Sequence, residues 1–206
     1  ALQGGDAGLE RASLRTGPDG SIHFGGDAYL ALPTQNLGQL QDQITICFWA
    51  KGDADQPQNS SILEGLDAQG RRVLNIHFPW SNGQIYWDAG DGPNYDRINK
   101  QAVESDYKNQ WNHWAFVKNA TTGSMKIYRN GQLWHSGNGL TRSIQTVAQL
   151  AVGRALSYDG PYRGSIDDLM LFDTELPVET IRDLMQYKLG PFAPYYDNLI
   201  FGTSFD

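Results

Sequence analysis

Between Pro79 and Ile98 the chain reads PWSNGQIYWDAGDGPNYDRI, which sets the rings of Trp80, Tyr86, Trp87 and Tyr95 among the polar groups of Asp88, Asn94, Asp96 and Arg97. Flat apolar rings pack on the C–H faces of a sugar while a few carboxylate, amide and guanidinium groups meet its hydroxyls, so this mixture is what a small carbohydrate ligand requires. Consecutive residues of an extended segment point to opposite sides, and one of Tyr86 and Trp87 is therefore expected to face the core. A second aromatic loop, Ser157-Tyr158-Asp159-Gly160-Pro161-Tyr162, offers Tyr158 and Tyr162 to the same rim. Trp80, Tyr95 and Arg97 are expected to be accessible and to border one surface, whereas Phe48, Ile76, Phe116 and Ile127 are expected inside.

Catalytic chemistry has less footing. His23, His77, His113 and His135 lie in strand-like or hairpin contexts with no nucleophile motif beside them, and no metalloprotease helix motif occurs. Binding is the first reading, a polysaccharide-active enzyme the second, and a spacer module without a ligand the third.

The elements that must position these groups are strands. In Trp111 to Val117, Trp111, His113, Ala115 and Val117 fall on one side and Asn112, Trp114 and Phe116 on the other, so the segment predicts a strand buried on both faces. Asn130-Gly131 between Ile127-Tyr128-Arg129 and Gln132-Leu133-Trp134 is the pair that most readily gives a type I′ hairpin turn. Further strands are predicted at Ser21–Phe24, Ala28–Leu32, Gln43–Lys51, Ser61–Gly65, Arg72–Phe78, Gln84–Asp88, Gln149–Arg154 and Arg163–Phe172, with a short helix from Leu176-Pro177 through Met185. Residues 89–108 lack clean periodicity and read as the longest functional loop. Short strands at regular spacing, joined by turns, predict an all-β fold: a two-sheet antiparallel β-sandwich, or jelly roll, with one short helix near the C-terminus. Residues 1–206 are read as one domain, with an irregular N-terminal segment over 1–19 and a C-terminal segment over 190–206 that supplies a sheet strand.

The Trp-x-His-x-Ala-Phe-Val strand at Trp111, the Lys-Ile-Tyr-x-Asn-Gly hairpin at Lys126, the Val-Gly-Arg strand at Val152 and the Gly-Ser-Ile-Asp-Asp-Leu-x-Leu-Phe strand at Gly164 together resemble the laminin G-like, concanavalin A-like jelly-roll domains of the lectin/glucanase superfamily. The resemblance spans roughly Ser21 to Leu184. It implies a carbohydrate-binding or adhesion module of a secreted or cell-surface protein, with other domains of a larger extracellular protein as further partners. It also implies a calcium ion at the sandwich rim, for which Asp27 and the Asp167-Asp168 pair are the matching candidates. The glucanase branch carries two glutamates close together on one strand; here Glu stands only at 10, 64, 104, 175 and 179, which removes that pattern. Such domains usually open with a strand ending in an aromatic-aspartate pair. The N-terminal segment has none, whereas Asn198 to Asp206 has both the strand pattern and the Phe-Asp ending; it reads either as the opening strand of a following repeat or, the favoured reading, as a strand that folds back, in which case Leu199 to Phe205 is expected to pair antiparallel near Ile166 to Phe172.

Composition narrows the partners. A formal net charge of −7 with no Lys/Arg cluster excludes a nucleic-acid surface, and no apolar run reaches the length needed for membrane insertion. Cys47 is the lone cysteine and sits in the apolar run ICFWA, as a small packed side chain rather than a reactive thiol.

Overall fold

The computed structural model describes residues 9–10, 15–16, 20–186 and 195–203. Its strands, in chain order, are β1 (Leu9–Glu10), β2 (Arg15–Thr16), β3 (Ile22–Gly25), β4 (Tyr29–Leu32), β5 (Gln43–Gly52), β6 (Ser61–Leu66), β7 (Arg72–His77), β8 (Gln84–Gly90), β9 (Tyr95–Gln101), β10 (Asn112–Asn119), β11 (Ser124–Arg129), β12 (Gln132–Gly137), β13 (Gln149–Val152), β14 (Arg163–Phe172) and β15 (Leu199–Thr203). The helices are α1 (Glu104–Tyr107) and α2 (Val178–Gln186). The strands form two antiparallel sheets, one ordered β1-β4-β13-β6-β7-β8-β9 and the other β12-β11-β10-β5-β14-β3-β2, with β15 also against β14. This is the jelly-roll sandwich that the strand pattern predicts.

The core follows from alternation. Along β8, Ile85, Trp87 and Ala89 turn inward, and they meet Phe48, Trp114 and Phe116 from the facing sheet, all nearly inaccessible to water. Trp87 also donates its indole N–H to the Val117 carbonyl at 3.1 Å, so its one polar atom is satisfied within the sandwich. β5 and β10 are apolar on their outward faces too, and the reason is α2. Ile181 and Leu184 on its inner side cover Cys47, Ala115, Val117, Met170 and Phe172. The hairpin of β11 and β12 turns at Asn130 (φ 50°) and Gly131 (φ 68°), the two positive-φ positions that the Asn-Gly pair serves.

Residues 89–108 depart from the predicted loop. They hold the end of β8, the whole of β9 and α1. β9 shows no apolar alternation because it closes one edge of its sheet: Ile98 alone is a buried apolar residue there, and Asp96 and Lys100, on the same side, reach polar partners on the opposite sheet.

The outer edge of β14 is shared. β3 pairs with residues Arg163 to Ile166 and β15 with Leu169 to Phe172, and between them Asp167-Asp168 form a bulge in which Asp168 has φ 46°. Leu199 packs on the α2 side of the sheet and Ile200 and Phe201 on the core side. Phe205 and Asp206, the ending that resembles a first strand, and the Gly190-Pro191 break lie outside the described residues. In the segment predicted to be irregular, Leu9–Glu10 pairs with β4 and Arg15–Thr16 with β3.

Candidate functional site

The face of the β6-β7-β8-β9 sheet turned away from the core is unusually polar at its centre. Register sets Glu64, Asn75, Asp88 and Arg97 in one row across the four strands, and Ser61, His77, Tyr86 and Asn99 in a neighbouring row. Glu64, Asn75 and Asp88 are wholly buried. Carboxylates in that position persist only when their lone pairs are met, and here they are. Glu64 accepts from the Leu156 and Ser157 backbone N–H groups (2.6 and 2.8 Å), from Ser157 Oγ (2.7 Å) and from Arg72 Nε (3.2 Å). Asp88 accepts from Arg97 Nε and Nη2, both at 2.6 Å, and from Arg72 Nη1 at 3.2 Å. Glu64 therefore pins the 155–160 loop onto the sheet, while Asp88 fixes two guanidinium planes.

Above this floor lies a closed ring of side chains. Trp80 stands on His77 with ring centroids 4.4 Å apart and meets Tyr158 edge-on at 5.5 Å. His77 meets Tyr86 at 5.5 Å. Arg97 lies over Tyr86 at 4.7 Å and Tyr95 at 5.1 Å, and Arg72 lies over Tyr95 at 5.7 Å and Tyr158 at 5.8 Å, which returns the circuit to Trp80. Cation–π contact holds the guanidinium and ring planes near one another, so the ring is rigid without being hydrophobic throughout. Trp80, Tyr86 and Tyr158 are partly exposed, and Tyr95 is 36% exposed.

The hydrogen-bond directions in the floor are determined. A guanidinium only donates, so Arg72 Nη1 donates a hydrogen bond to His77 Nε2 at 3.4 Å, which places the ring proton on Nδ1. Nδ1–H then donates to Tyr158 Oη (2.9 Å), the phenol donates to Ser61 Oγ (2.6 Å), and Ser61 donates to Asn75 Oδ1 (2.7 Å). Burial, with the charges of Arg72 and Arg97 beside it, pushes His77 down to about 3, and burial pushes the Tyr158 phenol up to about 12. Both groups are held neutral across the ordinary pH range. Asn75 Nδ2, at the end of this hydrogen-bond chain, is buried with no hydrogen-bond partner among the described residues.

Of the ligand residues expected from sequence, the fold brings together Trp80, Tyr86, Asp88, Tyr95, Arg97 and Tyr158. Four do not join them. Trp87 and Tyr162 are core residues with no exposed surface; the Tyr162 ring packs against Phe24 and Phe78, and each side chain points inward because of its parity on the strand or its loop. Asp96 is on the core side of β9, where it accepts from buried Lys118 Nζ and from the Arg142 backbone N–H, both at 2.8 Å. Asn94 is exposed in the β8–β9 turn, donating its backbone N–H to Asp91. Ser61, Glu64, Arg72, Asn75 and His77 lie on the same face without being candidates from sequence. Their signal was Asn75 and His77 alternating with Leu74, Ile76 and Phe78, which puts both polar groups on the outward face.

The expected calcium ligands do not converge. Asp27 is in the β3–β4 turn beyond Gly25, which faces Arg163, whereas Asp167-Asp168 lie past Ile166; at ~3.3 Å per residue roughly 13 Å of strand separates Arg163 from Asp167. Among the described residues no three His, Cys, Asp or Glu side chains are gathered as a metal site. Asp27 and the Asp167-Asp168 pair therefore stand at separate positions along the β3–β14 ladder.

A laminin G-type family model described as the concanavalin A-like lectin/glucanases superfamily matches residues 24–182. No curated protein matches the sequence. Solved structures with this fold include the receptor binding domain of botulinum neurotoxin C/D mosaic serotype, with TM-score 0.67 at 19% identity, covering 86% of this chain and 45% of that one. Domain 4 of AbnA, a GH43 extracellular arabinanase from Geobacillus stearothermophilus, solved in complex with arabinotriose, gives TM-score 0.64 at 21% identity over 88% of this chain and 82% of that one. The botulinum neurotoxin serotype D ligand binding domain, solved in complex with N-acetylneuraminic acid, gives TM-score 0.65 at 19% identity over 86% and 45%. The chain thus spans less than half the length of the toxin domains it matches.

Proposed function

The chain belongs to the concanavalin A-like lectin/glucanases superfamily, and on that footing we propose that it is a non-catalytic carbohydrate-binding module of an extracellular protein, with its ligand seated on the ring of Trp80, Tyr86, Tyr95 and Tyr158. The observation that carries the reading is the arrangement of Arg97: clamped by Asp88 at 2.6 Å and flanked by two tyrosines, it is a preorganised donor set into an aromatic platform. Support from elsewhere is the fold shared with an arabinanase domain whose structure contains arabinotriose and a toxin domain whose structure contains N-acetylneuraminic acid.

Binding is favoured over catalysis because the two floor carboxylates are fully engaged. A glycosidase acid or nucleophile must face the scissile bond, yet Glu64 and Asp88 spend their oxygens on Arg72, Arg97 and the 155–160 loop. His77 and Tyr158 are tuned away from proton exchange near neutrality, one too weak a base and the other too weak an acid.

Passage over a panel of immobilised polysaccharides, scored for retention and for reducing-end or unsaturated products, tests this. Retention without product is the expected result. Product release would assign an enzyme, and absence of both would leave a spacer.

A further inference from the structure

The charges around the platform narrow the class of glycan that such a module would take, an inference that rests on the binding reading above. Each cation at this face already has a carboxylate. Arg72 is shared by Glu64 and Asp88 at 3.2 Å, Arg97 holds Asp88 at 2.6 Å, and Arg71 holds Asp67 at 2.7 Å. Toward the rim, Arg142 lies 3.6 Å from Asp96, and Arg154 lies 3.5 Å from Asp159. The floor carboxylates cannot move aside, because Glu64 and Asp88 are buried and bonded on both sides. A ligand carboxylate reaching for Arg97 would find the Nε–Nη2 fork held by Asp88 and only the Nη1 side left, and would bring a third anion against two neutralised cations on a chain of net charge −7.

What the site does offer is uncharged. Arg97 uses Nε and Nη2 on Asp88, and Nη2 also reaches the Tyr95 hydroxyl at 3.4 Å; its Nη1 group makes no hydrogen bond to a described residue. Its N–H donors and the exposed Tyr95 ring suit the hydroxyl oxygens and C–H face of a neutral sugar. We infer that the platform selects an uncharged polysaccharide, recognised by stacking and by hydrogen bonds from a charge-neutralised guanidinium, and discriminates against uronic and sialic acids.

Affinity electrophoresis and titration calorimetry with arabinan, xylan and glucomannan, against polygalacturonate, alginate and sialyllactose, decide it. The expected result is binding of a neutral glycan whose affinity changes less than ~2-fold between ~20 and ~500 mM salt, with the acidic probes unbound. Arg97→Lys keeps the charge but not the planar fork, and is expected to weaken the neutral glycan by ~10-fold with the melting curve still cooperative. Tyr95→Ala, at an exposed position, is expected to weaken it to a similar degree and serves where the lysine variant does not fold. Binding confined to the acidic probes and lost at high salt overturns the inference while the binding module stands. Unchanged affinity in both variants also overturns it. No binding to any probe overturns the binding reading and the inference with it.

Discussion

Asp88 and Arg97 face each other across the β8–β9 pairing and are joined fork to fork, Nε to Oδ1 and Nη2 to Oδ2, each at 2.6 Å, with the aspartate wholly buried and the guanidinium about a third exposed. The carboxylate side chain thus sits beneath the surface that its partner presents. Its hydrogen bonds raise the Arg97 guanidinium above its usual basicity. Arg72 shares the same carboxylate, so one buried residue orients both cations on which Tyr86, Tyr95 and Tyr158 rest.

Asp88→Ala is therefore expected to act on both stability and binding. It strands the Arg97 guanidinium and leaves Arg72 to Glu64 alone, a loss of ~3–5 kcal/mol in urea unfolding by comparison with other broken buried pairs, and it releases Arg97 from the platform. A variant as stable as the parent would show that the cluster is not the support described.

Trp80 and Trp87 are seven residues apart in one aromatic stretch and are expected to behave oppositely. Trp80→Ala removes a surface ring standing on His77, so glycan affinity falls ~10-fold or more for a stability cost of ~1 kcal/mol. Trp87→Ala empties the sandwich, costing ~3–5 kcal/mol while the folded fraction binds normally. Calorimetry and chemical denaturation on the two variants check the pair; a reversed pattern would misplace the binding surface.

The contrast between these tryptophans marks what could be read from the chain. Alternation separates Tyr86 from Trp87, and the Asn-Gly pair locates the hairpin, because both are local properties of a few residues. β9 is not legible in the sequence, since three of its outward residues, Tyr95, Arg97 and Asn99, are polar or amphipathic and two of its inward ones, Asp96 and Lys100, are charged; those charges are satisfied by Lys118, Arg142 and the Trp134 carbonyl, far along the chain. Glu64 and Arg72 are hidden for the same reason. Nothing near Glu64 in sequence indicates that Ser157 will meet it, since that contact is made only when β6 and the 155–160 loop are brought together.

Acid is expected to weaken the fold before carboxylate protonation does. His77 at about 3 and His113 at about 4 sit below the ordinary histidine value of 6.5, each chiefly through burial. The unfolded chain then binds these protons first, so their contribution is complete above about pH 6.5 and is lost as pH falls toward about 3–4, at ~1.4 kcal/mol per unit for each group. Among the described residues His113 has no hydrogen-bond partner on either ring nitrogen, so His113→Leu forfeits none of the bonds described and should gain on the parent as the pH drops. Melting temperatures of both proteins from pH 8 to pH 4 test this, and parallel curves would rule out a neutral buried imidazole at 113.

Calcium removal is expected to cost no stability through an ion shared by Asp27 and Asp167-Asp168, since these do not converge on one position along β3 and β14. Calorimetric scans with excess chelator and with added calcium suffice. A chelator-dependent drop would require an ion held by other oxygens, because a ligand bound only to the native state must stabilise it.

Truncation after Asn198 removes β15 and bares the backbone of Leu169 to Phe172 along the outer edge of β14. Leu199 leaves the apolar layer under α2, and Ile200 and Phe201 leave the main core. Three partly buried apolar side chains at ~1 kcal/mol each amount to ~3 kcal/mol, which for a domain of this size corresponds to ~6–12 °C in melting temperature. Phe201→Ala alone should incur only a fraction of that loss, since it keeps the strand pairing. The uncovered edge is also a template for another chain, so the truncated protein should associate at concentrations where the full chain does not, measurable by light scattering. A truncated protein that melts with the full chain and stays monodisperse would mean that β14 needs no partner along this half of its edge.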